Sequence, residues 1–230
     1  MFGFYYPWDL LIFAAFGLSI WASFRVRSTF KRWSEVRTRT GLTGYEAARR
    51  MLDSNGLYDV PIEVVPGALS DHYDPINRVV RLSEPVYYES SISAISVACH
   101  EVGHAIQHSE SYAMLVMRHK MFPLVNFTSR VAPLFIIAGL IFQQFNSLLL
   151  VGIIFFTAAV AFQLITLPVE FNASNRARQL MVAEGFIAND EEHGVAKVLN
   201  AAAMTYVAAA LISVLELLKY IMIFSNRNND

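Results

Sequence analysis

Hydrophobic positions in this chain fall into two kinds of run, one long and continuous, the other short and periodic. Trp8 to Phe24 is almost uncharged and rich in Leu, Ile, Phe and Ala, and Arg25, Arg27, Lys31 and Arg32 follow at once. A run of that length closed by basic residues predicts a spanning helix. A signal peptide would carry its charge in front and a small-residue cleavage site behind, the reverse of this order. The positive-inside rule then puts the N-terminus outside and Arg25 onward in the cytoplasm. A second apolar region runs from about Phe122 to Phe145 but holds Asn126 and Arg130. Its membrane part is expected at Val131 to Phe145, with Arg130 snorkelling to the interface. Gln143, Gln144, Asn146 and Ser147 make an uncharged turn before Leu148 to Leu167, a third span. Ala201 to Phe224 is a fourth, interrupted by Glu216 and Lys219. These two are three apart and are expected to pair on one helical face. The alternative for this segment is an amphipathic helix packed on the others.

Between the first and second apolar regions the pattern becomes periodic. Thr43-Gly44-Tyr45-Glu46 is a capping box that opens a short amphipathic helix with Ala47, Ala48, Met51 and Leu52 on its apolar face and Gly56 as its terminator. Pro61 to Val65 and Arg78 to Leu82 read as two strands, broken by Pro66-Gly67 and by the turn residues Asp74-Pro75-Ile76-Asn77. Either strand is a candidate edge for binding a substrate backbone. Asp71-His72-Tyr73-Asp74 lies between them, and turn capping is its expected role, with His72 and Tyr73 kept as candidates for substrate or transition-state contact. Ser90 and Ser91 then offer N-caps to a helix of about four turns in which Ile92, Ile95, Cys99, Val102 and Ile106 recur at three- and four-residue spacing. Pro168 to Lys197 is polar again and helical around Glu170 to Glu184.

Composition sharpens the membrane reading. The chain has 230 residues, 55% of them hydrophobic and 16% charged, with a mean hydropathy of +0.40. That is too apolar for an ordinary soluble domain of this size. A formal net charge of -1 gives no reason to expect nucleic acid. Cys99 is the single cysteine and cannot form an internal disulfide. Its neighbour is His100, but adjacent helical residues point about 100° apart, so packing is its expected role.

The chemistry is concentrated in His100-Glu101-Val102-Gly103-His104, which fits H-E-x-x-H. On a helix, residues four apart share a face, so His100 and His104 can both reach one zinc ion while Glu101 lies beside the metal's open position as general base. Gly103 costs helix stability and implies close approach of another backbone or a ligand. His108, a further four residues on, is expected to support the site or face solvent. Catalytic zinc wants three protein ligands and a water. The metzincin pattern would need Gly at 107 and His at 110, where this chain has Gln107 and Glu110. A glutamate on a second helix is the other common solution. Glu170, at the mouth of the third span, is the best candidate, whereas Glu184, Glu191 and Glu192 read as solvated surface.

At these residues the sequence resembles the neutral zinc metallopeptidases of the YugP type, bacterial membrane proteins carrying H-E-x-G-H-A-x-Q, here His100 to Gln107. Asp71 to Pro75, Val80-Arg81-Leu82-Ser83 and Pro168 to Ala177 share in the resemblance, which therefore covers most of the chain. A looser similarity runs to the HtpX and CAAX prenyl protease group, whose third ligand is a glutamate followed by Ala-Asp. The present chain keeps the matching Glu170 but has Ser174 where the aspartate would stand. The resemblance implies a membrane-embedded gluzincin. Arg176 joins His72 and Tyr73 as a candidate contact for substrate or transition state.

These readings combine into an α-helical integral membrane protein with a small α+β zincin-like catalytic domain and about four transmembrane helices. Residues 1–30 form the first span and its basic flank, 31–120 a cytoplasmic catalytic region, 121–169 a transmembrane hairpin, 170–200 a cytoplasmic helix with the third ligand, and 201–230 the fourth span and tail. The expected function is a zinc endopeptidase using Zn2+. It would sit in the cell membrane with its site at the cytoplasmic face and act on membrane-associated proteins or peptides. A catalytically silent zinc-containing scaffold is the rival, and Glu101 discriminates, because a purely structural site needs no general base. A transporter is disfavoured by the lack of internal repeats and of matched Gly/Pro-broken segments.

Overall fold

The computed structural model describes residues 7–229, so residues 1–6 of the expected first segment and Asp230 of the expected tail lie outside the described part. Ten elements follow in order: α1 (Pro7–Ser34), α2 (Gly44–Ser54), β1 (Ile62–Val65), β2 (His72–Asp74), β3 (Val79–Ser83), α3 (Glu84–Tyr88), α4 (Ile92–Ser109), α5 (Ala113–Ile141), α6 (Asn146–Ala183) and α7 (Glu192–Asn229). Among the described residues, four helices are long and apolar enough to cross a membrane: Asp9–Ser34, Ala113–Ile141, Asn146–Ala183 and Glu192–Asn228. The chain clusters into two compact units. Of the described residues, one comprises 7–22, 116–168 and 205–229, the other Ser23–Leu115 and Val169–Met204.

The first unit is built from apolar helix. Ile136, Leu149 and Ile153 are buried in it, with Leu217, Tyr220 and Phe224 against them. Gly139 and Gly152 let α5 and α6 meet closely, since a Cβ on Gly139 would lie 2.4 Å from the backbone nitrogen of Leu149. The turn between these helices falls at residues 142–145, and Asn146 and Ser147 already belong to α6. Lys219 does not take Glu216 as its salt-bridge partner. Its ammonium pairs with Asp9 of α1, because a long flexible side chain in apolar surroundings goes to the carboxylate that packing brings to it rather than to one merely nearby in sequence.

The second unit holds the site. Its sheet has the order β1-β3-β2, with β1 parallel to β3 and β2 antiparallel to it. The residues expected to form only a capped turn therefore include a third strand. Asp74 does cap the turn, accepting from the backbone N–H groups of Ile76 and Asn77 at 2.9 and 3.1 Å, but His72 to Asp74 also pair with Val79 to Arg81. Three residues are too few to show alternation, which is why the pattern concealed them. Of the two strands read from the sequence, β1 lies at an edge and β3 in the centre, and β2 forms the other edge.

α2 is capped as its sequence demands. Thr43 and Glu46 make both halves of the capping box, and Ala47, Ala48, Met51 and Leu52 are fully buried. Gly56, at φ +75°, ends the helical segment in the left-handed region that a side chain would resist. Ser91 caps α4 by accepting from the Ala94 N–H at 3.1 Å. Ile92, Ile95, Cys99, Val102 and Ile106 enter one core with Met51, Leu52, Val80, Leu82, Ala177 and Met181. At 18 residues α4 is five turns, one longer than its apolar repeat suggested.

Two boundaries differ from the hydropathy reading for one reason. α5 begins at Ala113, well before the apolar stretch, and α6 runs unbroken through Pro168 to Ala183. Hydropathy marks where a helix changes surroundings, whereas the backbone ladder continues through polar residues. Within a helix already flanked by turns, one proline removes one hydrogen bond without ending it.

Candidate metal centre

α4 and α6 approach each other at one glycine. A Cβ on Gly103 would lie 2.7 Å from the carbonyl oxygen of Ala173, closer than side-chain carbons come to such atoms, so this crossing requires glycine. The close crossing sets Glu170 opposite the histidine face of α4. His100 and His104 stand with ring centroids 4.8 Å apart. Glu170 Oε2 lies 3.4 Å from His100 Nε2 and 3.5 Å from His104 Nε2. One ligand atom from each residue falls within 4.8 Å of the others. Glu170 is 2% exposed, so its carboxylate faces the two imidazoles out of solvent.

Glu101, next to His100 in the same turn, is buried. Burial pushes its carboxyl above the ordinary glutamate range, the nearby imidazoles partly offset this, and Glu170 and Asp71 add to the upward shift. Asp71 is itself pushed up by burial, although it accepts from the backbone N–H and hydroxyl of Ser83.

Each imidazole turns Nε2 towards Glu170 and has a neutral partner at Nδ1. Ser174 Oγ lies 3.1 Å from His100 Nδ1, so a hydroxyl makes this contact. Gln107 Oε1 lies 3.0 Å from His104 Nδ1. The Gln107 amide also donates to the Val169 carbonyl at 2.8 Å and to Asn172 Oδ1 at 2.9 Å. Sequence reasoning gave none of Ser174, Gln107 and Asn172 a role. For two of them spacing was the available signal, since Gln107 follows His104 by three and Ser174 follows Glu170 by four, one helical turn each, whereas Asn172 meets Gln107 across 65 residues.

The other sequence candidates are dispersed. His72 is exposed, with Nδ1 2.8 Å from the Ser70 carbonyl oxygen. Tyr73 places its hydroxyl 2.8 Å from His108 Nδ1, beyond the histidine pair along α4. Arg176 donates to Asn172 Oδ1 at 2.7 Å and pairs with Glu110 at 2.7 Å. Glu184 accepts from the Ser54 hydroxyl at 2.6 Å, and Glu192 pairs with Arg178 at 3.4 Å. Glu191 departs from the solvated surface expected of it. It is buried and accepts from the backbone N–H groups of Arg39 and Ala188 at 2.9 and 2.7 Å, holding two loops together.

The features define a class: a helical protein with four helices fit to cross a membrane and a compact unit in which two histidines and a glutamate could hold one metal ion. Residues 8–225 match the family described as "Putative neutral zinc metallopeptidase", and the chain belongs to that family. It is 64% identical over 220 residues to "Putative membrane protease YugP" of Bacillus subtilis (strain 168), a match covering 96% of this chain and 97% of that protein. No solved structure matches the chain.

Proposed function

We propose that this protein is a multi-pass membrane zinc endopeptidase of the gluzincin type, cleaving membrane or membrane-proximal proteins at the cytoplasmic face. The observation that carries the reading is the convergence of His100, His104 and buried Glu170 on one point, with Glu101 in the same turn of α4. Two imidazoles and one carboxylate are the donor set of a catalytic rather than a closed structural zinc site, because they leave a coordination position open. The pairing of α4 with a small sheet supports a zincin-like catalytic domain. The basic residues Arg25, Arg27, Lys31 and Arg32 after the first apolar run support the cytoplasmic side for the unit that holds the site.

Zinc, when bound by His100, His104 and Glu170, supplies Lewis-acid polarisation of the scissile carbonyl and acidifies the attacking water. Glu101 does the proton work. Its carboxylate takes the proton that water loses as the carbon–oxygen bond forms. The same group then delivers that proton to the amide nitrogen as the carbon–nitrogen bond breaks, so each cycle leaves Glu101 as it began. Burial of Glu101 leaves its charge poorly solvated, which raises its basicity and so favours uptake of a proton from water.

The test compares Glu101→Gln with the parent at matched zinc content, using the protein substrate that the parent cuts or its self-cleavage in detergent. The amide keeps the shape and loses the base, so cleavage is expected to fall by at least about 100-fold while zinc stays bound. His100→Ala is expected to lose metal and activity together, and Glu170→Ala to lose most zinc where Glu184→Ala does not. Parent-like cleavage by the glutamine variant would sink the mechanism and favour a silent zinc scaffold.

A further inference from the structure

The polarity of the hydrogen bonds around Gln107 decides which nitrogen of His104 carries the proton. A guanidinium has donors and no acceptor, so the contact of Arg176 Nε with Asn172 at 2.7 Å fixes the atom it meets as the amide oxygen. Gln107 then faces two acceptors at once, this oxygen at 2.9 Å and the Val169 carbonyl at 2.8 Å. Only its NH2 group can satisfy both. Turning the amide over would set three oxygens against one another in a site where Gln107 has no exposed surface and water offers no replacement. Its Oε1 is thereby left to accept from His104 Nδ1 at 3.0 Å. The neutral ring must hold its proton on Nδ1, and the lone pair of Nε2 faces Glu170.

We propose that Arg176, Asn172 and Gln107 form a one-way hydrogen-bond chain that locks His104 in the tautomer able to ligate metal through Nε2. This makes them positioning residues, and the inference rests on the reading of His104 as a zinc ligand. Glu110 anchors the far end through its pair with Arg176 at 2.7 Å. The chain also ties α4 to α6 beside Glu170, so one set of bonds orients two ligands. His100 lacks such control, because its partner Ser174 is a hydroxyl that can either donate or accept.

The probe is zinc itself, titrated against a chromophoric chelator with the purified full-length chain in detergent, and thermal unfolding reports the fold of each variant. Gln107→Met keeps the volume and removes the three bonds that Gln107 makes, to His104, Val169 and Asn172, so zinc affinity is expected to fall about 10- to 100-fold. Asn172→Leu is expected to fall severalfold. Asn172→Asp is acceptor-only, preserves the direction of the chain, and should stay within about threefold of the parent. Should Gln107→Met fail to fold, the Asn172 pair carries the test. Parent-like affinity in a folded Gln107→Met, or equal losses in Asn172→Asp and Asn172→Leu, would overturn the proposal, since mere packing distinguishes neither acceptor from apolar group. His104→Ala and Glu170→Ala run alongside. Retention of zinc by both would show that the metal site itself is misassigned, and the inference would fall with it, whereas their loss of zinc with unchanged Gln107 and Asn172 variants condemns the inference alone.

Discussion

Gly103 shows how one missing side chain sets the geometry of the site. The carbonyl oxygen of Ala173 would lie 2.7 Å from a Cβ there, so Gly103→Ala must push α4 away from the helix that carries Glu170. Alanine favours the helix intrinsically, yet the steric cost of overpacking, about 1–3 kcal/mol, exceeds that gain of up to about 1 kcal/mol. A lower unfolding temperature together with weaker zinc binding is expected from calorimetry and metal titration. A variant as stable as the parent with parent-like zinc affinity would refute the contact. Asp74 gives a residue-level pH prediction. Hydrogen bonds from the Asn77 side chain and from Arg81, joined by backbone N–H groups of the turn, hold its carboxyl well below the usual carboxylate range. A depressed carboxylate stabilises the fold above its unfolded value of about 4 and loses that contribution as the pH falls further. The difference in unfolding temperature between parent and Asp74→Asn should therefore be present at neutral pH and shrink below about pH 4. A gap that widened in acid would contradict the assignment.

Between elements, the ion pair of Asp9 on α1 with Lys219 on α7 is the most informative contact. Removing one partner takes this ion pair from the charge that stays, whereas removing both takes away the charges together with the pair. Asp9→Asn or Lys219→Met alone is expected to lower the unfolding temperature in detergent more than the two together. Additive losses in the double variant would mean that the charges act independently. The boundaries of α5 and α6 are set by helix continuity, not by local polarity.

For the molecule as a whole, metal and topology are the properties to test. A ligand that binds only the folded state stabilises it by about 2.7 kcal/mol when present at about one hundred times its dissociation constant. A chelator is therefore expected to lower the unfolding temperature of the zinc-loaded parent and to leave His100→Ala unchanged, and equal responses would point to a different metal site. Orientation is open to cysteine labelling, for which the chain is well suited. Cys99 is buried, and burial pushes its thiol far up, so it gives little background. A cysteine placed at Asn55 is expected to resist an impermeant thiol reagent added to intact cells and to react after lysis. Labelling from outside would reverse the proposed topology.

Much of this could be read along the chain because the signals are local. The histidine pair, the Thr43 capping box, the Ser91 cap and the apolar faces of α2 and α4 each depend on residues within a turn or two, and so do the four long apolar runs. Glu170 emerged from its place beside a span and from family resemblance, not from spacing to His100. Tertiary structure decided what depends on distance in sequence. It made His72 to Asp74 a strand through pairing with β3, turned Glu191 inward and sent Lys219 to Asp9. It also gave His100 and His104 their separate partners, Ser174 and Gln107. A buried polar group takes whichever partner packing brings within reach, and that choice belongs to the crossing of α4 and α6 at Gly103 rather than to any one stretch of the sequence.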